Sequence, residues 1–246
     1  MLPDPEKPFI RFFDEIDSTN TYALREFESL PDGAIVAAAG QSAGKGRLGN
    51  QWLSLKNRGI YMTVVMKQVS DPFLATTAVS LGVLDAIRAL VPGVQVGIKW
   101  PNDIYAGDAK LAGILAEGKV SANGLEGIAC GVGINVSYTA GELKDLNRPV
   151  TTLNMLGKSC FSSEYLLKTF AFYVIKRYII LITVSPSLDE WRTENFLVGR
   201  RVTAYSPREV IEGDVVGIDD SGALVVKTVS GDIRTITSAD VRIGRL

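Results

Sequence analysis

The sequence contains no histidine among its 246 residues. This absence excludes Ser-His-Asp and Cys-His catalysis and every metal site that requires an imidazole ligand. Only two cysteines occur, Cys130 and Cys160, too few for a zinc site, and the sequence alone does not decide whether they form a disulfide. Cys130 lies in an apolar run, which is typical of a small packed side chain.

A large charge of either sign and a long uninterrupted apolar run are also missing. The net charge of −1 argues against general binding to nucleic acid or to a membrane surface. The first residues lack the apolar segment of a signal peptide. The most apolar tract, 165–184, is interrupted by Lys168, Lys176 and Arg177, which favours a core helix over a membrane span. With 46% hydrophobic residues the chain can build a sizeable core, and we predict a cytoplasmic enzyme.

The most distinctive stretch is a glycine-rich loop, residues 40–52, which carries Lys45 and Arg47 and ends in Trp52. Glycine lets the backbone turn its N–H groups toward an anion, and an arginine can grip a phosphate or carboxylate through two parallel hydrogen bonds. The loop does not contain the Walker A pattern, and no helix pattern follows it, as a dinucleotide fingerprint would need. Taken alone, the loop predicts an anion site or, alternatively, a solvated surface loop.

Periodicity predicts an α+β chain with a mainly antiparallel sheet. Candidate caps at Ser18 and Asn20 begin a helix that reaches about residue 27, and capping alone is one interpretation of both residues. A hairpin turn at 107–108 lies in an antiparallel meander, and its ladder can bring Asp103 near Lys110. The remaining predicted strands are 9–13, 34–39, 59–67, 94–100, 110–117 and 125–136, and the remaining helices are 73–90, 151–156, 162–183 and 187–195.

The pattern of predicted secondary structure changes near residue 198. Short β-rich runs follow, separated by Gly, Pro, Asp and Ser turns, and they predict a small all-β barrel of about five strands. We therefore predict two domains, 1–197 and 198–246.

Three motifs identify a family resemblance: Lys-Trp-Pro-Asn-Asp at 99–103, Lys-Leu-Ala-Gly-Ile-Leu at 110–115 and Gly-Val-Gly-Ile-Asn-Val at 131–136. Together with Ser-Thr-Asn at 18–20 and the glycine-rich loop, they resemble the biotin protein ligases from about residue 9 to the C-terminus. The resemblance implies a class II synthetase-like catalytic domain and an SH3-like C-terminal barrel. It also implies activation of biotin by ATP to biotinyl-5′-AMP with release of pyrophosphate. Biotin would then pass to a lysine of a biotin carboxyl carrier protein.

The resemblance also assigns roles to individual residues. It places Lys110 and Arg47 at the reacting anions, and Asp103 either at Mg²⁺ or as the base for the incoming lysine. It assigns one group of residues to binding the ureido and bicyclic rings of biotin, and a second group to binding the adenine and phosphates of ATP. The first group is Ser18, Thr19, Asn20, Gln41, Tyr61, Gly131 and Gly133, and the second is Gly44, Lys45, Gly46, Trp52, Asn102 and Asn135.

The chain departs from the family pattern in two places. The familiar loop reads Gly-Arg-Gly-Arg-x-Gly-Arg-Lys-Trp, whereas Lys45 replaces the first arginine here and Asn50-Gln51 replace the last two cations. This loss should weaken the contacts to the triphosphate. Only about eight residues precede the first predicted strand, so we expect no DNA-binding domain and no DNA or membrane partner. The resemblance also suggests a homodimer.

Two alternatives remain open at this stage. A lipoate–protein ligase would share the fold and the chemistry, and a non-catalytic regulator would bind biotinyl-5′-AMP without turning it over.

Overall fold

The computed structural model describes residues 2–122, 124–144, 146, 148–157, 161–184, 188–206 and 209–244. Cys160 and the start of the predicted helix 187–195 lie outside these ranges. The chain divides into two compact units, the first comprising Met1–Val96 and Asn102–Pro186, the second Gly97–Pro101 and Ser187–Leu246. The predicted domain boundary after residue 197 stays a prediction.

The first unit contains a mixed sheet. Its strands are β1 (Ile10–Phe13), β2 (Ile35–Ala38), β3 (Gly59–Met66), β5 (Asp103–Ala106), β6 (Ala109–Ser121) and β7 (Gly124–Asn135), while β4 (Val96–Lys99) spans the boundary between the units. Within the first unit the strand order is β1-β2-β3-β7-β6-β5. Among the described pairs of this order β1–β2 is parallel and the others are antiparallel, which confirms the predicted mixed, mainly antiparallel sheet.

Helices of the first unit are α1 (Thr19–Arg25), α2 (Pro72–Leu90), α3 (Ala140–Leu143), α4 (Leu153–Leu156) and α5 (Ser163–Thr183). The Asp71 carboxylate accepts from the first backbone N–H groups of α2, and Pro72 occupies its first position. Helix α2 is long and apolar enough to cross a membrane by length and composition, but most of it is buried inside the protein, as in a core helix. The sequence patterns missed α3, which is a single turn.

The second unit contains α6 (Asp189–Thr193) and a five-stranded antiparallel sheet. The strands are β8 (Arg201–Tyr205), β9 (Val210–Ile218), β10 (Leu224–Thr228), β11 (Ile233–Ile236) and β12 (Asp240–Ile243), in the order β11-β10-β9-β8-β12. Alternate side chains of β9 are buried, as expected when one face of a sheet covers a core. The all-β character and the number of strands predicted for this region are therefore confirmed.

Candidate active site

A buried ion pair joins the two strands of the β5–β6 hairpin. Lys110 Nζ lies 2.5 Å from Asp103 Oδ1, and the two side chains are 9% and 13% exposed. The predicted proximity of these residues is confirmed, because the hairpin ladder places them on neighbouring strands. A paired cation at so low an exposure is firmly oriented. An anion that enters the site therefore meets a fixed ammonium group.

The glycine-rich loop forms a narrow hairpin. Trp52 N donates to Gly44 O at 2.9 Å, and Gly46 N donates to Asn50 O at 2.7 Å. A short 3-10 turn at Arg47–Gly49 closes the tip, and no α-helix follows the loop, as its sequence predicts. The hairpin thus holds Arg47 at its tip and Trp52 at its base.

The indole of Trp52 packs flat against the sheet. A Cβ atom on Gly113 would lie 2.9 Å from the ring, and one on Gly133 would collide with it. Lys110 Nζ lies 5.2 Å from the ring centroid, a cation–π distance. The resemblance places the biotin ring against Gly133, but in this structure the indole fills that space. The absence of a side chain at Gly133 is what allows the flat ring to approach.

The indole nitrogen of Trp52 is a polar atom without a protein partner. Trp52 Nε1 is buried and makes no hydrogen bond to the part of the chain that the structure describes. A buried N–H group without a hydrogen-bond acceptor destabilises the folded state, and such groups are uncommon in native proteins. An acceptor atom of a bound ligand would satisfy this donor.

A chain of neutral hydrogen bonds connects helix α1 to the loop. Gln41 Oε1 accepts from Thr19 N at 2.8 Å, and Gln41 Nε2 donates to Ser54 Oγ at 2.8 Å. Ser54 Oγ in turn donates to the carbonyl of Trp52 at 3.1 Å. Thr19 and Gln41 are therefore brought together as predicted, and they also position the loop tryptophan.

Asn20 extends this network across the sheet. Thr63 Oγ1 donates to Asn20 Oδ1 at 2.6 Å, and Asn20 Nδ2 donates to Glu117 Oε2 at 2.7 Å. Ser18 caps α1, so capping describes Ser18 but not Asn20. A Cβ atom on Gly131 would collide with the Asn20 amide, so this glycine makes room for a protein side chain.

Sequence reasoning missed two members of this network, Thr63 and Glu117. Glu117 also pairs with Lys45, whose Nζ lies 3.3 Å from Glu117 Oε1. Thr63 is a polar residue between the apolar residues Met62 and Val64 of β3. This isolated polar position is the signal from which the sequence could have identified Thr63 as part of the site.

Arg47 at the tip of the loop contacts Asn102. Its Nη1 donates to Asn102 Oδ1 at 3.1 Å, while Asn102 Nδ2 donates to the Ile114 carbonyl at 2.7 Å. Asn102 is thereby anchored on β6 and presents its oxygen to the guanidinium. The structure thus brings together two residues that the sequence assigned to the nucleotide.

The side chains of Tyr61 and Asn135 make hydrogen bonds within the protein. Tyr61 is 1% exposed, and its hydroxyl donates to Leu55 O at 2.9 Å and lies 2.6 Å from the hydroxyl of Tyr138. Burial raises the pKa of Tyr61 far above its ordinary value, so it stays neutral. Its hydroxyl group thereby holds the chain segment that follows the glycine-rich loop, at Leu55. Asn135 Nδ2 donates to Lys110 O at 3.3 Å, which fixes the backbone of the paired lysine.

A cleft opens between the loop and the segment that follows β7. Among the described residues its lining is mostly apolar, with two cations and no carboxylate; these residues are Gln51, Trp52, Leu53, Lys110, Asn135, Leu143, Leu146, Arg148 and Val150. Apolar walls beside two cations suit a flat ring that carries phosphate groups. Arg148 has no place among the predicted site residues, because no motif surrounds it.

The described residues contain no group of three or more Cys, Asp or Glu side chains that could hold a metal ion. Mg²⁺ in nucleotide enzymes usually keeps several waters and takes one or two carboxylates together with the phosphates of the substrate. Asp103 fits that pattern as a single protein ligand. Its carboxylate is bonded to Lys110 here, so it would hold the ion only alongside bound phosphates.

Comparisons with known proteins agree with this geometry. Residues 12–135 match the Biotin/lipoate A/B protein ligase family, and residues 197–244 match the Biotin protein ligase C terminal domain. The chain belongs to the biotin protein ligase family.

Relatives span most of the chain. The Biotin–[acetyl-CoA-carboxylase] ligase of Paracoccus denitrificans is 30% identical over 236 residues, which is 93% of this chain and 98% of the relative. The Bifunctional ligase/repressor BirA of Bacillus spizizenii is 30% identical over 88% of this chain and 68% of its own length. The solved Biotin protein ligase from Aquifex aeolicus in complex with biotin and ATP matches with a TM-score of 0.81 at 23% identity, covering 97% of this chain and 99% of that one. This match shows the fold.

Proposed function

We propose that this chain is an ATP-dependent biotin protein ligase. It activates biotin to biotinyl-5′-AMP with release of pyrophosphate and then transfers biotin to a specific lysine of a biotin carboxyl carrier protein. The observation that carries the proposal is the buried Lys110–Asp103 pair, which lies beside the indole of Trp52 on a cleft lined by cations and apolar groups. Relatives named as biotin ligases over nearly the whole chain favour biotin over lipoate.

The first step joins two anions. A carboxylate oxygen of biotin attacks the α-phosphorus of ATP, and the bond to the bridging oxygen of the β-phosphate breaks. Lys110 supplies positive charge at the carboxylate and the α-phosphate, and Arg47 supplies it from the tip of the loop. Fixed charges of this kind offset the repulsion between the reactants and stabilise the pentacoordinate phosphorus. Mg²⁺, when bound to the phosphates, supplies further charge neutralisation.

The second step needs a neutral amine. The carrier lysine attacks the acyl carbon of biotinyl-5′-AMP, the bond to the phosphate oxygen breaks, and AMP leaves. A free lysine has a pKa of about 10.4, so a base must take its proton. Asp103 is the carboxylate nearest Lys110 and can serve once phosphate binding has loosened the ion pair.

The neutral network recognises the uncharged part of biotin. Thr19 donates to Gln41 Oε1, and Ser18 precedes Thr19 at the start of α1, so the three carry donors and acceptors of the kind that a ureido ring requires. Asn20 and Thr63 fix the orientation of this cluster. Recognition and activation are therefore assigned to separate groups of residues.

The test is isotope exchange between ATP and pyrophosphate in the presence of biotin or lipoate, followed by biotin transfer to a carrier domain. We expect exchange with biotin and none with lipoate. Exchange supported by lipoate alone would identify the other ligase class, and binding of biotinyl-5′-AMP without exchange or transfer would identify a regulator. Sedimentation analysis and a gel shift on genomic DNA examine the homodimer and the expected absence of DNA binding. Cell fractionation examines the cytoplasmic location.

A further inference from the structure

We propose that Arg148 binds the phosphates of the nucleotide in this cleft. The inference rests on the proposed function and adds a residue that neither the motifs nor the family resemblance supplied. Arg148 lines the same cleft as Lys110, Trp52 and Asn135. It therefore shares a surface with the residues placed at the reacting groups.

The backbone beside Arg148 is pinned to the reactive lysine. Lys110 N donates to Pro149 O at 3.0 Å, and Thr151 N donates to Lys110 O at 3.0 Å. Val150 forms a parallel bridge with Lys110, so residues 149–151 extend the sheet at that position. Arg148 immediately precedes this short pairing, and its N–H donates to Leu146 O at 2.8 Å. Its Cα is thus held beside the site although the side chain is exposed.

The two cations that line the cleft differ in their contacts with the rest of the protein. Lys110 is bonded to Asp103, and Gln51, which also lines the cleft, is neutral. Within the part of the chain that the structure describes, no carboxylate pairs with Arg148, and no lining residue is acidic. An arginine offers two parallel hydrogen bonds to a phosphate. Arg148 is therefore the lining cation best able to take up a phosphate without first breaking a protein contact.

The shape of the lining suits a nucleotide. Leu143 and Leu146, from the same chain segment as Arg148, provide apolar surface, and Trp52 provides an aromatic ring. Apolar surface suits the base of a nucleotide, and the two lining cations suit its phosphates. Loss of cations from the loop at Asn50 and Gln51 makes a second source of positive charge more valuable for the same substrate.

The experiment measures binding by calorimetry with ATP and, separately, with biotin. Arg148→Met removes the charge and keeps an apolar stem, Arg148→Lys keeps the charge without the fork, and Lys144→Met removes an exposed cation from the same segment outside the cleft. We expect Arg148→Met to weaken ATP binding by roughly 10- to 100-fold, the scale of a charge-assisted hydrogen bond. Arg148→Lys should fall between this variant and wild type. Biotin binding should stay unchanged, and Lys144→Met should resemble wild type for both ligands.

The proposal is overturned if Arg148→Met binds ATP as tightly as wild type. It is also overturned if ATP and biotin binding weaken in parallel, because Arg148 would then act through the fold of the segment, or if Lys144→Met has an equal effect. These outcomes are separable from failure of the ligase assignment. If the wild-type protein shows no biotin-dependent exchange, the assignment fails, yet comparison of ATP binding between wild type and Arg148→Met still decides the role of Arg148.

Discussion

The two halves of the candidate site are built in different ways. We call Thr19, Asn20, Gln41 and Thr63 the neutral end, and Arg47, Lys110 and Arg148 the charged end. At the neutral end, side-chain oxygens and amides bond to one another and to the backbone, so the arrangement exists before a ligand arrives. At the charged end, Lys110 is bonded to Asp103 and Arg47 to Asn102, while Arg148 faces an open cleft.

This difference separates recognition from chemistry. Hydrogen bonds between neutral groups orient a ligand by geometry, and a buried network of this kind is costly to disturb. The contacts of the charged end are ones that phosphates and carboxylates can replace, because an anion competes directly for an ammonium or guanidinium group. We therefore expect changes at the charged end to alter rates, and changes at the neutral end to alter biotin affinity and stability.

The largest effect should come from Lys110. Lys110→Ala removes the charge at the reacting anions and should slow adenylate formation by roughly 10²- to 10³-fold, the scale of losing one transition-state donor. Biotin-dependent ATP–pyrophosphate exchange measures this step. Lys119→Ala is the matched control, because Lys119 lies on the same strand and donates to Leu24 O outside the cleft. Exchange by Lys110→Ala close to the wild-type rate would remove Lys110 from the mechanism.

Arg47 should have a smaller effect on rate and a distinct effect on fidelity. Arg47→Gly should slow adenylate formation by about tenfold, as expected for one charge-assisted contact. It should also release biotinyl-5′-AMP, which then labels lysines of unrelated proteins. Labelling of a lysine-rich bystander protein, normalised to adenylate produced, measures the leak.

Two variants sharpen the Arg47 result. Asn102→Ala should partly reproduce the leak, because Asn102 accepts the hydrogen bond that holds the Arg47 side chain in place. Arg47→Lys should leak as well if the planar fork matters, and should match wild type if only charge matters. Equal bystander labelling by Arg47→Gly and wild type would show that Arg47 does not retain the intermediate.

The sequence predicted the contact between Asp103 and Lys110 better than it predicted the contacts of the neutral end. Asp103 and Lys110 are joined by a short hairpin, so local spacing sufficed to place them together. The contacts of Thr63 and Glu117 with Asn20 join segments 43 and 97 residues apart, and no local pattern encodes them. The same reason applies to Trp52, whose place against Gly133 depends on the packing of the loop onto β7. The sheet and helices followed from periodicity, whereas the one-turn helix α3 was too short to leave a periodic signal.

The neutral end can be tested through Thr63. Thr63→Val keeps the shape but leaves Asn20 Oδ1 without its donor, which should destabilise the protein by about 1–3 kcal/mol. It should raise KM for biotin by about tenfold or less and leave KM for ATP unchanged. Thr76→Val is the control, since the hydroxyl of Thr76 bonds only within helix α2, to Pro72 O. A change in kcat with an unchanged KM for biotin would contradict the division of labour between the two ends.

The smallest effect concerns an ion pair outside both ends. Hydrogen bonds from Thr139, first from its backbone N–H, and the nearby Arg58 lower the pKa of Glu142 below its ordinary value. A carboxylate whose pKa is depressed on folding stabilises the folded state above its unfolded pKa, and this contribution is lost as pH falls through the folded value. The protection factors of the α3 amides, which correct for the intrinsic exchange rate, should therefore fall in wild type between about pH 5 and pH 3. The change should be slight, because such pairs at the surface contribute little. Glu142→Gln should show the weaker protection at both pH values.

The comparison at pH 6 decides whether the carboxylate anchors helix α3. If wild type and Glu142→Gln give the same protection at pH 6, the carboxylate does not anchor the helix beside Leu143. The wall of the cleft is then held by Tyr138 and its hydrogen bond to Leu53.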